Sequence, residues 1–391
     1  MLKQASINLS KRITAAELTV YIAFIAGILM SFPLWHSDRL FPLAPVSDTL
    51  SPISEPLGKI IAVVLIGLLA VNCFLRKAWV NVAFLFLICM LLLRDMNRVQ
   101  PWVYMYILVM VPFTLRKQFD NDTTFKYLRI LLVGVYLWSG IHKINPTFPY
   151  ISFFLMVTKL FKITDPKMLD TILPFGHVVS IIEILMAIAL IFPKTRFIGT
   201  VTAVATHILI LLFISPVGAN DNFVVVPWNV AMIVLVILAF YGTSDKFDLS
   251  WKSNSRWQLA IAYVLVWLMP VFNLLGVWPP CFSFQLYANK EERILIAVAD
   301  PQVNKIHPSP LKFLVPIGQV NGGKVVDINA WMVSQTGVPL NHDRYVFRYI
   351  ARYFCNMGVE PGQLFVLLFR QEGKEPYYEQ VQCVDIDEQL R

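Results

Sequence analysis

Charge is scarce in this 391-residue chain: Asp, Glu, Lys and Arg make up 15% of it, against about 25% in soluble domains. Several motifs that announce an enzyme are missing as well. The sequence has no H-E-x-x-H, no two His four residues apart, no glycine-rich phosphate loop and no G-x-S-x-G elbow. It therefore offers no basis for a metal site, ATP hydrolysis or a serine hydrolase. Its five cysteines (Cys73, Cys89, Cys281, Cys355, Cys383) show neither C-x-x-C nor zinc spacing. There is no internal repeat and no low-complexity tract. The composition also excludes a disordered, collagenous or disulfide-scaffold chain.

What is abundant is apolar. Hydrophobic residues make up 57%, with 28 Phe and 10 Trp, and the mean hydropathy is +0.61. The excess sits in long uninterrupted runs, which predicts a polytopic α-helical membrane protein in contact with the lipid bilayer. The formal net charge is +8. In a membrane protein this reflects Lys and Arg flanking the spans and calls for no nucleic-acid partner.

Nine runs approach the length of a membrane helix: 14–35, 57–75, 78–93, 102–115, 128–144, 172–192, 197–215, 224–241 and 257–277. Lys3, Lys11 and Arg12 precede the first, and no A-x-A site follows it, so it reads as a membrane helix and not a cleaved signal peptide. Residues 149–161 are apolar but short, which suits an interfacial or re-entrant helix. With the N-terminus inside, cytoplasmic segments hold 14 Lys/Arg, Lys252 among them, and the opposite face holds eight. The expected layout is a transmembrane domain over 1–280 and a small extracytoplasmic α+β domain over 281–391, in the plasma membrane (a bacterial cytoplasmic membrane). In that second domain strands are expected at 294–298, 313–317, 364–369 and 378–384, and helices at 328–335 and 343–357. Asp343 is the expected cap of the last helix and Gly358 its stop. Cys355 and Cys383 can pair if the domain faces an oxidising space.

Ionisable groups inside spans need a partner, a water-filled cavity or a function. Four clusters qualify. Asp95, Asn97, Arg98 and Gln100 lie between the third and fourth runs, either as a polar turn facing water or as part of a binding site. Tyr136, Ser139, Gly140 and Lys143 share one helical face at the end of the fifth run, beside His142 and Asn145. Lys143 either snorkels to the interface or, facing a dry cavity, acts as a general base. Glu183 sits near the middle of the sixth run, where it must be protonated or paired with another helix. His207 lies in the seventh run on a stripe of small residues with Gly199 and Ala203. Trp228 and Asn229 follow in a polar outer segment.

YLWSGIHKINPTF (136–148) resembles the aromatic-x-x-(Ala/Ser)-Gly-x-x-Lys-(Leu/Ile)-(Asn/Asp) motif of the HTTM superfamily, which includes the vitamin-K-dependent γ-carboxylase. WHSDRLFPLAP (35–45) resembles that superfamily's first outer loop, and MPVFNLLGVWPPCFSFQLY (269–287) its last span and following β-segment. The resemblance implies nine spans, an exterior C-terminal domain, and the role of the motif lysine, which deprotonates a reduced quinone; only that role transfers, onto Lys143. The C-terminal part is far shorter than the carboxylase's lumenal region and holds no recognisable propeptide-binding segment, which argues against a protein substrate. EILMAIALIFPKTR (183–196) looks like a helix end of DoxX-type proteins, small units tied to quinone or thiol redox. Two readings follow. One is a membrane enzyme, carboxylase-like or oxidoreductase, acting on a quinone-like lipid. Lys143 and His142 would be catalytic, and Asp95, Asn97, Arg98, Gln100, Asn145, Glu183, His207, Trp228 and Asn229 would bind substrate. The other is a non-enzymatic scaffold or accessory subunit whose outer domain binds a protein partner.

Overall fold

The computed structural model describes residues 2–247, 256–288, 292–316, 324–360, 362–372 and 375–390. Lys252 of the charge count and residue 317 of an expected strand lie outside the described residues. The chain divides into two compact units. The first comprises 1–30, 63–88 and 100–288; the second comprises 31–62, 89–99 and 289–391.

The helices follow the apolar runs, with ends set by local chemistry. α1 is Leu2–Met30, α2 Glu55–Leu75, α3 Ala78–Arg94 and α4 Pro101–Thr114. Proline suits the first turn of α4, where its missing N–H has no helical partner to lose. α5 is Asn121–His142 and starts seven residues before the apolar run does, because the Asp120 side chain accepts from the Thr123 N–H and caps it there. α6 is His177–Ile191, α7 Arg196–Ile214 and α8 Val226–Phe240. A short helix, Ser152–Lys159, occupies the segment expected to lie at the interface. The last apolar run is broken into Arg256–Ala262, a π-helical turn Tyr263–Leu268, and Met269–Leu274.

Among the described residues, five stretches are long and apolar enough to cross a membrane: Leu9–Met30, Glu55–Leu75, Pro166–Ile191, Arg196–Ile214 and Phe223–Phe240. Four shorter apolar helices accompany them: Ala78–Arg94, Pro101–Thr114, Phe148–Lys159 and Leu259–Leu274. The outward faces are apolar, with Phe74 85% exposed and Phe197 62% exposed. Glu17, Asn72, Asn81, Lys143, Glu183 and His207 are buried. A soluble fold places these classes the other way round. The inversion marks a membrane protein, whose polar groups turn inward because lipid cannot solvate them.

α5 is the central strut of the helical unit and is buried along nearly its whole length. Its closest neighbour is α6. A Cβ added at Gly140 would stand 2.9 Å from the Ser180 carbonyl oxygen, so only glycine lets the two backbones come this near. The stripe of Gly199, Ala203 and His207 on α7 is buried. Gly199 meets the α6 backbone, where an added Cβ would lie 2.9 Å from the Leu190 nitrogen.

The second unit is built on a five-stranded antiparallel sheet. Its strands are β1 Arg293–Val298, β2 Leu314–Pro316, β3 Lys324–Asp327, β4 Leu364–Glu372 and β5 Glu375–Gln382, in the order β2-β3-β1-β4-β5. β3 was not among the expected strands; at four residues it is too short to show an alternating pattern. Ile294, Ile296, Val366 and Leu368 of the central strands are buried. Helices α9 (Ile328–Thr336) and α10 (Arg344–Cys355) pack on the unit. Asp343 caps α10 by accepting from the Tyr345 N–H, and Gly358 adopts φ +74° beyond its end. The apolar face of α10 (Val346, Ile350, Phe354) is buried. Its arginine row is paired: Arg344 with Glu292, Arg348 with Asp48, and Arg352 with Asp48 and Asp387.

Cys355, at the end of α10, is disulfide-bonded to Cys383, just past β5. Replacing both by Ser should destabilise the unit by about 2–4 kcal/mol. Denaturant unfolding with and without reductant checks this: reductant should lower the wild-type midpoint and leave that of the double variant unchanged.

Candidate functional site

Lys143 follows the last turn of α5, and its side chain points back along that helix. The ammonium donates to Ser139 Oγ at 2.6 Å and to the Ser139 carbonyl at 3.3 Å, both within α5. Its third donor crosses to α6 and reaches Glu183 Oε2 at 2.7 Å. An ammonium has three N–H groups, and here each has an acceptor. Lys143 is 5% and Glu183 6% exposed, so neither snorkels to water. Glu183 therefore finds its counter-charge on another helix. The pair forms because Gly140 lets α5 and α6 approach, with Ser139 and Lys143 one turn apart on the facing side.

A second polar chain crosses α5, α7 and α8. Asn229 donates through Nδ2 to the Val225 carbonyl at 2.8 Å, which fixes the orientation of its amide. Its oxygen then faces His207 Nδ1 at 2.9 Å and requires the proton on that nitrogen. In a neutral imidazole Nε2 is left as an acceptor, and the Tyr136 hydroxyl donates to it at 3.0 Å. The chain thus has one direction: Tyr136 to His207 to Asn229 to backbone. Tyr136 and Lys143 share the α5 face, so both polar assemblies open from the same side of that helix.

Ser180, on α6 against Gly140, is fully buried, and its hydroxyl has no hydrogen-bond partner among the described residues. The Trp228 indole N–H is likewise without one. Such groups are rare in a well-packed interior.

The other sequence candidates take different places. His142 is 2% exposed and stacks on Trp138, with ring centroids 5.7 Å apart. Asn145 serves the chain turn: it donates to the His142 and Ala288 carbonyls and accepts from the Thr147 and Phe148 N–H groups. Gln100 is buried at the start of α4, its carbonyl accepting from the Tyr104 N–H.

Asp95, Asn97 and Arg98 belong to the second unit, where they form a buried knot. Asp95 accepts from Arg39, from the Ala44 N–H and from Asn97. Arg98 donates to the carbonyls of Leu34, Leu91 and His36. Asn341 donates through its backbone N–H to Asn97 Oδ1 and through Nδ2 to the Met96 carbonyl. Burial pushes the Arg98 guanidinium down to about 10, with Asp95 opposing the shift, so it stays charged at neutral pH. With these groups spent on protein partners, the arrangement is that of a folding knot between chain segments far apart in sequence.

Sequence reasoning missed one buried assembly, formed by Glu17, Tyr21, Asn72, Asn81 and Arg116. The signal was available, since a carboxylate and two amides within apolar runs obey the same rule that singled out Glu183. Among the described residues no group of three or more His, Cys, Asp or Glu is placed to hold a metal.

Removing one partner of a buried ion pair strands the other. Glu183→Gln and Lys143→Met should each destabilise the helical unit by about 3–5 kcal/mol, and the two together by less than the sum. Unfolding in detergent, run as a double-mutant cycle, measures this. No family model, curated protein or solved structure matches the chain.

Proposed function

We propose that the chain is an integral membrane protein of the HTTM type, whose working centre is Lys143–Glu183, an acid–base pair for a lipid-soluble, quinone-like substrate. The observation that carries this reading is the buried pair itself, an ammonium and a carboxylate 2.7 Å apart among apolar helices. Intramembrane charge of this kind is costly and marks proton chemistry. The motif around Lys143 supplies the substrate class.

Nine crossings are supported by the five long helices together with α3, α4, α5 and the run ending at Leu274. The Lys/Arg distribution favours a cytoplasmic N-terminus. The Cys355–Cys383 disulfide favours an extracytoplasmic place for residues 289–391, because disulfides persist in oxidising compartments. In a bacterial cell the membrane is then the cytoplasmic one.

The chemistry has a defined order. With three acceptors around it, the Lys143 ammonium has no lone pair to offer. It becomes a base by passing one proton to Glu183 Oε2. The neutral amine then takes the phenolic proton of a reduced quinone, leaving a phenolate beside an ammonium. Ser139 Oγ holds the nitrogen in place through both states, and the unpartnered Ser180 hydroxyl is a donor for the incoming oxygen. His142 and the Tyr136–His207–Asn229 chain touch neither reacting atom in this scheme.

The test is anaerobic mixing of the protein in nanodiscs with a reduced naphthoquinone, following phenolate absorption. Wild type should raise the phenolate fraction about tenfold over empty nanodiscs, one pK unit of stabilisation. Folded Lys143→Ala should raise it not at all. A folded Lys143→Ala protein that behaves as wild type removes the proposal.

One observation favours a scaffold instead: every donor of Lys143 is satisfied at a glycine-mediated helix crossing, as in an interhelical lock. On that reading, apolar replacement of both Lys143 and Glu183 leaves a folded protein, and no quinone response appears in any form, wild type included.

A further inference from the structure

Glu17, Tyr21, Asn72 and Asn81 join α1, α2 and α3 in the helical unit, and all four are buried. Their hydrogen bonds can be assigned without freedom, starting from a group that cannot turn over. The Lys77 backbone N–H donates to Asn72 Oδ1 at 2.7 Å. This settles the Asn72 amide, because the reverse orientation would set its NH2 against that N–H. Asn72 Nδ2 therefore donates to Asn81 Oδ1 at 2.7 Å and to the Tyr21 hydroxyl oxygen at 3.1 Å. Asn81 is settled in turn: reversing it would bring two NH2 groups together at 2.7 Å. Its Nδ2 has no partner among the described residues, although the residue is 1% exposed.

The Tyr21 hydroxyl now faces two oxygens, Glu17 Oε1 at 2.6 Å and Asn81 Oδ1 at 3.0 Å. A phenol has one proton to donate. If Glu17 is ionised, that proton goes to Glu17, and the hydroxyl oxygen and Asn81 Oδ1 face each other with none between them. The chain is one proton short, and one added at Glu17 completes it.

We infer that Glu17 is a proton-binding site coupled to a reversible hydrogen-bond relay through Tyr21 to Asn81. In the ionised state Tyr21 donates to Glu17. When a proton adds to Glu17 Oε1, the carboxyl donates to the Tyr21 oxygen and Tyr21 swings its own proton to Asn81 Oδ1. No heavy-atom bond forms or breaks, and the net event is uptake of one proton.

The charged and titratable groups facing Glu17 come from each neighbouring element. Arg116, just past α4, pairs with Glu17, and its side chain is 36% exposed. Arg76, past the end of α2, acts on Glu17 electrostatically, as does Glu17 on the Cys73 thiol of α2. Tyr21 bonds to it directly.

Infrared difference spectroscopy of the full chain in nanodiscs, titrated with acid, tests this directly. Wild type should develop a protonated-carboxyl C=O band. Glu17→Gln should lack it. Asn81→Leu, which takes away the acceptor of the protonated state, should shift its frequency and lower its midpoint by about one pH unit, a tenfold loss of proton affinity. Tyr21→Phe, which takes away the donor to the ionised carboxylate, should move the midpoint the other way. Glu183→Gln should leave the band unchanged, which separates this site from the Lys143–Glu183 pair. The inference is overturned if wild type develops no such band over the range in which it stays folded. It is equally overturned if Tyr21→Phe and Asn81→Leu leave the band where it was, a comparison that stands even if Glu17→Gln fails to fold.

Discussion

An ammonium and a carboxylate withdrawn from water must find each other, and that requirement governs how α5 and α6 meet. Neither charge is tolerable alone among apolar helices, where an unpaired ion is costly. Lys143 and Glu183 are 40 residues apart in sequence, and only a close crossing brings them to 2.7 Å. Gly140 supplies the crossing by giving up its side chain next to the Ser180 carbonyl. Two other features of the helical unit share α5. α5 is buried almost end to end, and the Tyr136–His207–Asn229 chain continues from the same face to α7 and α8.

The same principle recurs elsewhere. Glu17 is enclosed by Tyr21 and Arg116, with two asparagines behind them. In the second unit Arg98 is satisfied almost wholly by backbone carbonyls, and Asp95 by Arg39, Asn97 and a backbone N–H. One difference separates these sites. The Asp95–Arg98 knot spends Arg98 on fixed backbone carbonyls, which suits it to holding chain segments together. In the Lys143 and Glu17 assemblies most of the bonds run from side chain to side chain, the arrangement on which the proposed proton movements rest.

Much of the architecture was legible in the sequence. Long apolar runs become helices because backbone hydrogen bonds must be made internally wherever lipid replaces water. Ends were less legible: α5 begins at Asn121 because Asp120 caps it there, and hydropathy does not register a cap. Gly358 and Asp343 did announce the limits of α10, since both act through local geometry. β3 was invisible because a four-residue strand owes its existence to its neighbours β1 and β2.

For the candidate site, the residue types alone identified Lys143, Glu183 and His207 as polar groups in apolar surroundings that needed partners, whereas Asn229, expected in a polar outer segment, is buried within α8. Partner choice is a matter of three-dimensional distance, which sequence spacing cannot encode between helices. Tertiary structure alone paired Lys143 with Glu183, joined Tyr136 to Asn229 through His207, and brought Asn341 to the Asp95–Arg98 knot across more than 240 residues. The scarcity of charge determined that each buried ionisable group would need an answer. The close approach of helix backbones decided what each answer was.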